Sequence, residues 1–119
     1  MMEPYVSAQS LAGVTVVKVH GPLKLGHPAL DELRRRCSEL CSRNEVRVVI
    51  DLEAVPAVDS SGIGALLHGL TTMRNRGGEC KLLNPSKLTR EVLELVGLLK
   101  VFSVYQDREQ AVASFHHAA

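Results

Sequence analysis

Aromatic residues are scarce, with no Trp, two Tyr and two Phe in 119 residues. A chain so poor in flat rings lacks the platforms on which single-stranded nucleic acid stacks. Net charge is nearly absent as well. Fourteen Lys and Arg against thirteen Asp and Glu leave +1, so no basic field draws in nucleic acid or an anionic membrane. No apolar run approaches the roughly 20 residues that span a bilayer; the longest are interrupted by Asp, Gly or Arg. Direct nucleic-acid binding and membrane insertion are therefore not expected. Three cysteines cannot all pair, and the first thirty residues lack the charged, apolar and small-residue order of a secretion signal, which points to a cytoplasmic chain. What is present, 45% hydrophobic and 23% charged residues, suits an ordinary folded domain. At this length folding removes roughly 65% of the unfolded surface from water, so one core suffices without metal or disulfide staples. Residues 1–119 are expected to form a single domain with a tail frayed from about His116.

Two β-branched stretches, Tyr5 to Leu11 and Val14 to His20, flank Ala12 and Gly13, a pair that can turn a hairpin. After Gly21 and Pro22, Leu30, Leu33, Cys37, Leu40 and Cys41 recur at three- and four-residue intervals and predict an amphipathic helix. Val46 to Asp51 is short and almost continuously apolar, as a central strand buried on both faces would be. From Ser60 the helical period returns, with Ile63, Leu66, Leu67, Leu70 and Met73 on one face and Gly77 and Gly78 as the stop. A strand at Glu79 to Leu83 follows. Asn84, Pro85 and Ser86 then open a third helix expected to turn Leu88, Val92, Leu95 and Val96 inward. Gly97, a strand at Val101 to Tyr105 and a helix from Asp107 to about Phe115 complete the chain. Two strands followed by alternating helix and strand imply an α/β fold, a mixed, mostly parallel sheet with right-handed crossovers and about four helices. Function then belongs to loops and helix ends at one edge of the sheet.

The most unusual stretch is Val58-Asp59-Ser60-Ser61-Gly62-Ile63-Gly64, between the central strand and the second helix. Asp59 or Ser60 can cap the helix, and Gly62 and Gly64 let another backbone come close. The same helix end, with its positive dipole and free N–H groups, can also hold a phosphate, on a ligand or attached to Ser60 or Ser61. Both readings stand on these residues alone. Dinucleotide binding is disfavoured, because Leu67 occupies the place of the third small residue, and the P-loop's Gly-Lys-Ser or Gly-Lys-Thr is missing. A hydrolase is disfavoured too: there is no Gly-x-Ser-x-Gly elbow, and His68 lies about two turns along the helix from the serines. Catalysis is not expected.

Cys37 and Cys41, one turn apart, have a spacing that could offer two thiolates to zinc, but they fall in phase with Leu30, Leu33 and Leu40 and read as core, as does Cys80. His20, His27, His68, His116 and His117 show no paired metal spacing and read as surface residues or element ends. No metal or cofactor is expected. Arg34, Arg35 and Arg36 fan over about 200° of helix with Glu32 and Glu39 nearby, which describes a solvated face. Arg74 and Arg76 suit the negative end of the second helix.

The stretches IDLEAVPAVDSSGIGALL, RGGECKLLNPS and LTREVLELVGLLKVFSVYQDREQAV resemble the STAS domain of bacterial anti-sigma factor antagonists, over about the last seventy-five residues strongly and before that weakly. The resemblance centres on Asp-Ser-Ser-Gly followed by Ile-Gly, placed after a buried strand. It implies a switch protein rather than an enzyme. The serine after the aspartate, here Ser60, would be phosphorylated by a serine kinase that is also the anti-sigma factor. The unphosphorylated form would bind that partner and release a sigma factor, and a serine phosphatase would reset the cycle. The binding surface would comprise Asp59, Ser60, Ser61, Gly62, Ile63 and Gly64, with Lys24 beside them. At Lys24 the sequence departs from the family: phosphorylated members commonly carry an aspartate after the Gly-x-Leu of this loop, which here reads Gly21-Pro22-Leu23-Lys24. That departure keeps open a second reading, a STAS scaffold or regulatory module without phosphorylation, in a signalling or lipid-transport assembly.

Overall fold

The two leading β-branched runs fold back on each other as β1 (Val6–Leu11) and β2 (Val14–Val19), an antiparallel pair in which Val6 faces Val19 and Leu11 faces Val14. The turn between them holds Ala12 at φ 51° and Gly13 at φ 80°, the left-handed pair that a two-residue hairpin needs. A computed structural model describes residues 4–116. After β2 come α1 (Pro28–Ser42), β3 (Arg47–Asp51), α2 (Ser60–Asn75), β4 (Glu79–Leu83), α3 (Lys87–Leu95), a 3-10 turn (Leu98–Lys100), β5 (Val104–Tyr105) and α4 (Arg108–Ala113). The strands lie in the order β1-β2-β3-β4-β5, all parallel from β2 onward. This is the mixed, mostly parallel sheet with four helices that the alternation of periods predicts.

The continuous apolar run of β3 is explained by its two buried faces. Val48 and Ile50 join the larger core, formed with α1, α2 and Leu93 of α3, while Val49 joins a smaller core under α4. Asp51 ends the strand almost wholly buried at 3% exposure. Its carboxylate accepts from the Glu53 N–H at 3.0 Å and meets Arg108 at 3.5 Å, so a buried acid has both a donor and a cation, as burial requires. Because β2 to β5 are parallel, their carboxyl ends share one edge. The loops leading into α1, α2 and α3 therefore emerge side by side there, which is where open α/β sheets place their sites.

Three elements differ from the sequence reading. Only Val104 and Tyr105 of the expected strand Val101 to Tyr105 pair with β4, because the N–H groups of Val101 and Phe102 both turn back to the Leu98 carbonyl. The last helix closes at Ala113, with Phe115 and His116 in tighter turns beyond it. His116 itself is held, its Nε2 lying 2.6 Å from the Ala12 carbonyl; the rest of the expected frayed tail, 117–119, lies outside the described residues.

The third difference is the roll of α3. Leu88, Leu95 and Val96 are exposed at 54%, 87% and 52%, not inward, and Val92 is half-buried. Thr89 and Leu93, one turn apart, are fully buried in their place. A hydroxyl can take that core position because it is spoken for: the Ser86 hydroxyl donates to Thr89 Oγ1 at 3.0 Å while also capping the Thr89 N–H at 3.1 Å, which removes the penalty of burying an unpaired polar atom. Periodicity reveals an apolar stripe but not which neighbouring stripe faces the core. Accordingly Leu93→Ala should cost about 2–5 kcal/mol in urea unfolding, whereas Leu95→Ala should stay within about 0.5 kcal/mol of the parent.

Candidate functional site

The turn between β3 and α2 is stitched to the turn between β2 and α1. The Leu23 N–H donates to the Ala57 carbonyl at 3.0 Å, and the Asp59 N–H donates back to the Leu23 carbonyl at 3.1 Å. Leu23 and Val58 form an isolated parallel bridge. Asp59 then ties both turns through its side chain. Its Oδ1 accepts from the Gly62 N–H at 3.0 Å as the N-cap of α2, and its Oδ2 accepts from the Leu25 N–H at 2.9 Å. Of the two candidate caps, Asp59 and Ser60, it is Asp59 that caps. The Leu25 N–H, then the Gly62 N–H, hold its carboxyl below the usual 3.8, and the charge of Lys24 acts in the same direction.

Gly62 is the glycine that close approach demands. A Cβ there would lie 2.1 Å from the Leu23 carbonyl oxygen, whereas one on Gly64 would meet open space. The expectation that both glycines admit a neighbouring backbone therefore holds for Gly62 and fails for Gly64, which lies on the exposed side of the helix.

With Asp59 as cap, Ser60 occupies the first helical position and is exposed, while Ser61 is half-buried. Ser60 shares its side of α2 with Gly64 and Leu67, both exposed; Leu67, at 39%, does not face the core as its period suggests. Leu25, in the turn laced to Asp59, is 79% exposed. Ile63 is half-buried against the larger core, and Lys24 is exposed. The structure thus brings Lys24, Asp59, Ser60, Ser61 and Gly62 into one doubly laced corner, and leaves Gly64 on the helix face beside it.

Arg34 is exposed, as its reading on a solvated face expects, and it also borders this corner. Its Nη2 donates to the Ser61 carbonyl at 3.2 Å across the α1–α2 seam. Below it, α1 and α2 border a groove of about 480 Å³ lined by Arg34, Cys37, Cys41, Ala65, His68 and Arg76, among others. Leu25 and Arg34 are the site residues that the sequence analysis missed. For Leu25 a signal existed, a leucine standing in a Gly- and Pro-bounded turn; for Arg34 there was none, since cross-helix pairing leaves no periodic trace.

Burial holds two of the three thiols in the unreactive, protonated form. Burial, with a smaller push from Cys41, raises Cys37 to about 11, and burial raises Cys80 as well, so both stay protonated at neutral pH and are poor nucleophiles or ligands. Among the described residues no group of three or more His, Cys, Asp or Glu is placed to hold a metal. His27 serves its own helix, its Nδ1 accepting from the Ala29 N–H at 3.1 Å as the cap of α1. What the corner offers is an open hydroxyl on the positive end of a 16-residue helix, able to carry a phosphate without disturbing the fold beneath it.

Two outcomes test this geometry. Gly62→Ala should destabilise by about 1–3 kcal/mol, because the new methyl group meets backbone rather than a movable side chain. Asp59→Ala should be less stable than the parent at pH 7. Since the folded carboxyl titrates below its unfolded value, the parent's advantage is complete above the usual 3.8 and is lost as pH falls through the folded value. Urea melts from pH 7 to pH 3 should therefore show the two proteins converging only at the acid end.

The STAS domain family profile matches residues 5–111. An anti-sigma F factor antagonist of Paenibacillus polymyxa is 27% identical over 101 residues, 84% of this chain and 85% of that protein. One of Lysinibacillus sphaericus is 32% identical over 84 residues, covering 70% of each. Among solved structures, the anti-sigma factor antagonist SpoIIAA in its unphosphorylated form superposes with a TM-score of 0.79 at 23% identity, over 96% of this chain and 98% of that one. The phosphorylated form of SpoIIAA, from Bacillus, gives 0.73 at 24% over 92% and 97%. At these identities the superpositions establish a shared fold, and the profile and the sequence relatives establish the lineage. No helix among the described residues is long and apolar enough to cross a membrane. The chain belongs to the STAS domain family, alongside the bacterial anti-sigma factor antagonists.

Proposed function

We propose that this protein is an anti-sigma factor antagonist: unphosphorylated, it binds an anti-sigma factor and frees a sigma factor, and phosphorylation of Ser60 ends that complex. The observation that carries the reading is the exposed Ser60 at the first position of α2, on a turn locked by Asp59. Asp59, Ser60, Ser61, Gly62, Ile63 and Gly64 form the docking turn, Lys24 flanks it, and exposed Leu25 and Leu67 supply apolar area beside it. The anti-sigma factor itself acts as the serine kinase, a serine phosphatase resets the cycle, and the antagonist performs no chemistry.

A phosphate on Ser60 adds about −1.5 to −2 charges. The helix dipole offsets part of this in the free protein, so the fold persists. In a complex the dianion must be desolvated against the partner, and an unmatched buried charge costs several kcal/mol. About 1.4 kcal/mol already weakens binding tenfold. A local modification is therefore sufficient to release the partner.

A second reading follows from Lys24, which stands where the family resemblance places an acid common among phosphorylated members and whose charge reaches Asp59. It describes a scaffold or regulatory module that binds constitutively. The discriminating measurement is the affinity for the purified cognate anti-sigma factor before and after stoichiometric phosphorylation. Under the switch, phosphorylation at Ser60 weakens binding at least tenfold, Ser60→Ala binds but accepts no phosphate, and Ser60→Glu weakens binding partially because it carries a single charge. Unchanged affinity after complete phosphorylation would overturn the switch in favour of the constitutive module.

A further inference from the structure

We propose that Arg34 makes the two neighbouring hydroxyls of the turn inequivalent: a phosphate on Ser61 is ion-paired by Arg34, whereas a phosphate on Ser60, on the outward side of α2, is not. The inference rests on the proposed switch and specifies which serine can operate it.

The helix dipole does not distinguish the two positions, because both lie in the first turn. Their sides of the helix do. At three- and four-residue spacing, Ser61 falls in line with Ala65, His68 and Thr72, which line the groove against α1. Ser60 falls in line with Gly64, Leu67 and Thr71, all exposed. Ser61 is half-buried, and its carbonyl already holds the Arg34 guanidinium at 3.2 Å.

Arg34 is also available. Among the described residues the ion pairs are Arg36 with Glu39, Arg74 with Glu79 and Arg108 with Asp51, so no carboxylate claims Arg34. Its present acceptor is a neutral carbonyl. A phosphate beside it is a stronger acceptor that the planar guanidinium can engage through two N–H groups at once, so Arg34 exchanges the carbonyl for the phosphate. The other charged groups near this corner are Asp59 at the cap, Lys24 in the preceding turn, whose charge acts on Asp59, Asp31 and Arg35 beside Arg34 on α1, and His68, which lines the groove about two turns along α2 from Ser61. Phosphate on Ser61 is thereby drawn toward α1 with its charge reduced. Phosphate on Ser60, without that pairing, presents more of its charge to a protein docking on the outward side.

Full-length protein with phosphoserine installed during synthesis at position 60 or at position 61, each with and without Arg34→Gln, is titrated by phosphorus NMR. The second pKa of phosphoserine is about 6, and a guanidinium within ion-pair distance lowers it by about one unit. The expected result is that Arg34→Gln raises the pKa of the position-61 phosphate by about one unit while moving the position-60 value by less than half as much, and that Arg34→Lys recovers part of the loss. Equal shifts at both positions, or none at position 61, would overturn the proposal. The position-60 protein carrying Arg34→Gln controls for any loosening of the fold. Since the phosphate is present in every sample without a kinase, failure here leaves the Ser60 switch standing, and failure of the switch in partner binding leaves this result intact.

Discussion

One carboxylate holds the working corner of this protein together. Asp59 receives an N–H from the first turn of α2 on one oxygen and an N–H from the β2–α1 turn on the other. Two loops that emerge separately from the sheet thus behave as one surface. The glycine three residues on makes this possible, because only a residue without Cβ fits under the Leu23 carbonyl. Ser60 can then be exposed without the helix start losing its definition. The proposed modification needs an accessible side chain and a backbone that does not yield, and the division of labour between Asp59 and Ser60 is suited to both.

The fold was legible in the sequence wherever one period dominated. The apolar run of β3, the three- and four-residue spacing of α1 and the glycines after α2 each have a single structural meaning, and each appears in the structure. The Asp-Ser-Ser-Gly turn was legible as a helix start and a candidate site, the residues alone leaving the cap and the phosphate readings both open. Where two answers shared one pattern, lateral packing decided. α3 carries enough leucines to suggest an inward stripe, but the hydroxyl pair of Ser86 and Thr89 lets a polar residue take the core position. Arg34 was hidden for a related reason: a run of three arginines is periodic with nothing, and its role depends on the separation of two helices.

The charge of the corner is unusual in its balance. Lys24 brings a cation whose charge reaches the Asp59 carboxylate, and Arg34 brings another to the Ser61 carbonyl on the α1 side. A surface of this kind does not repel a phosphate so much as direct it. Under the proposed pairing, the size of a phosphate's effect depends on which side of the helix carries it, a geometric rather than a chemical distinction.

The course of the chain through the sheet also decides what can be joined to it. The Tyr5 ring packs edge-on against His27 at 5.1 Å between centroids, and its carbonyl accepts from His20, so residues entering β1 arrive at the carboxyl edge, beside the loop that Asp59 fastens. α4 runs the other way and delivers His116 to the hairpin at Ala12. A fusion partner or neighbouring domain placed after α4 would sit at the far rim of the sheet and leave the serines clear. The same partner placed before β1 would stand at the carboxyl edge near Asp59 and the serines, where its bulk would compete with anything docking there.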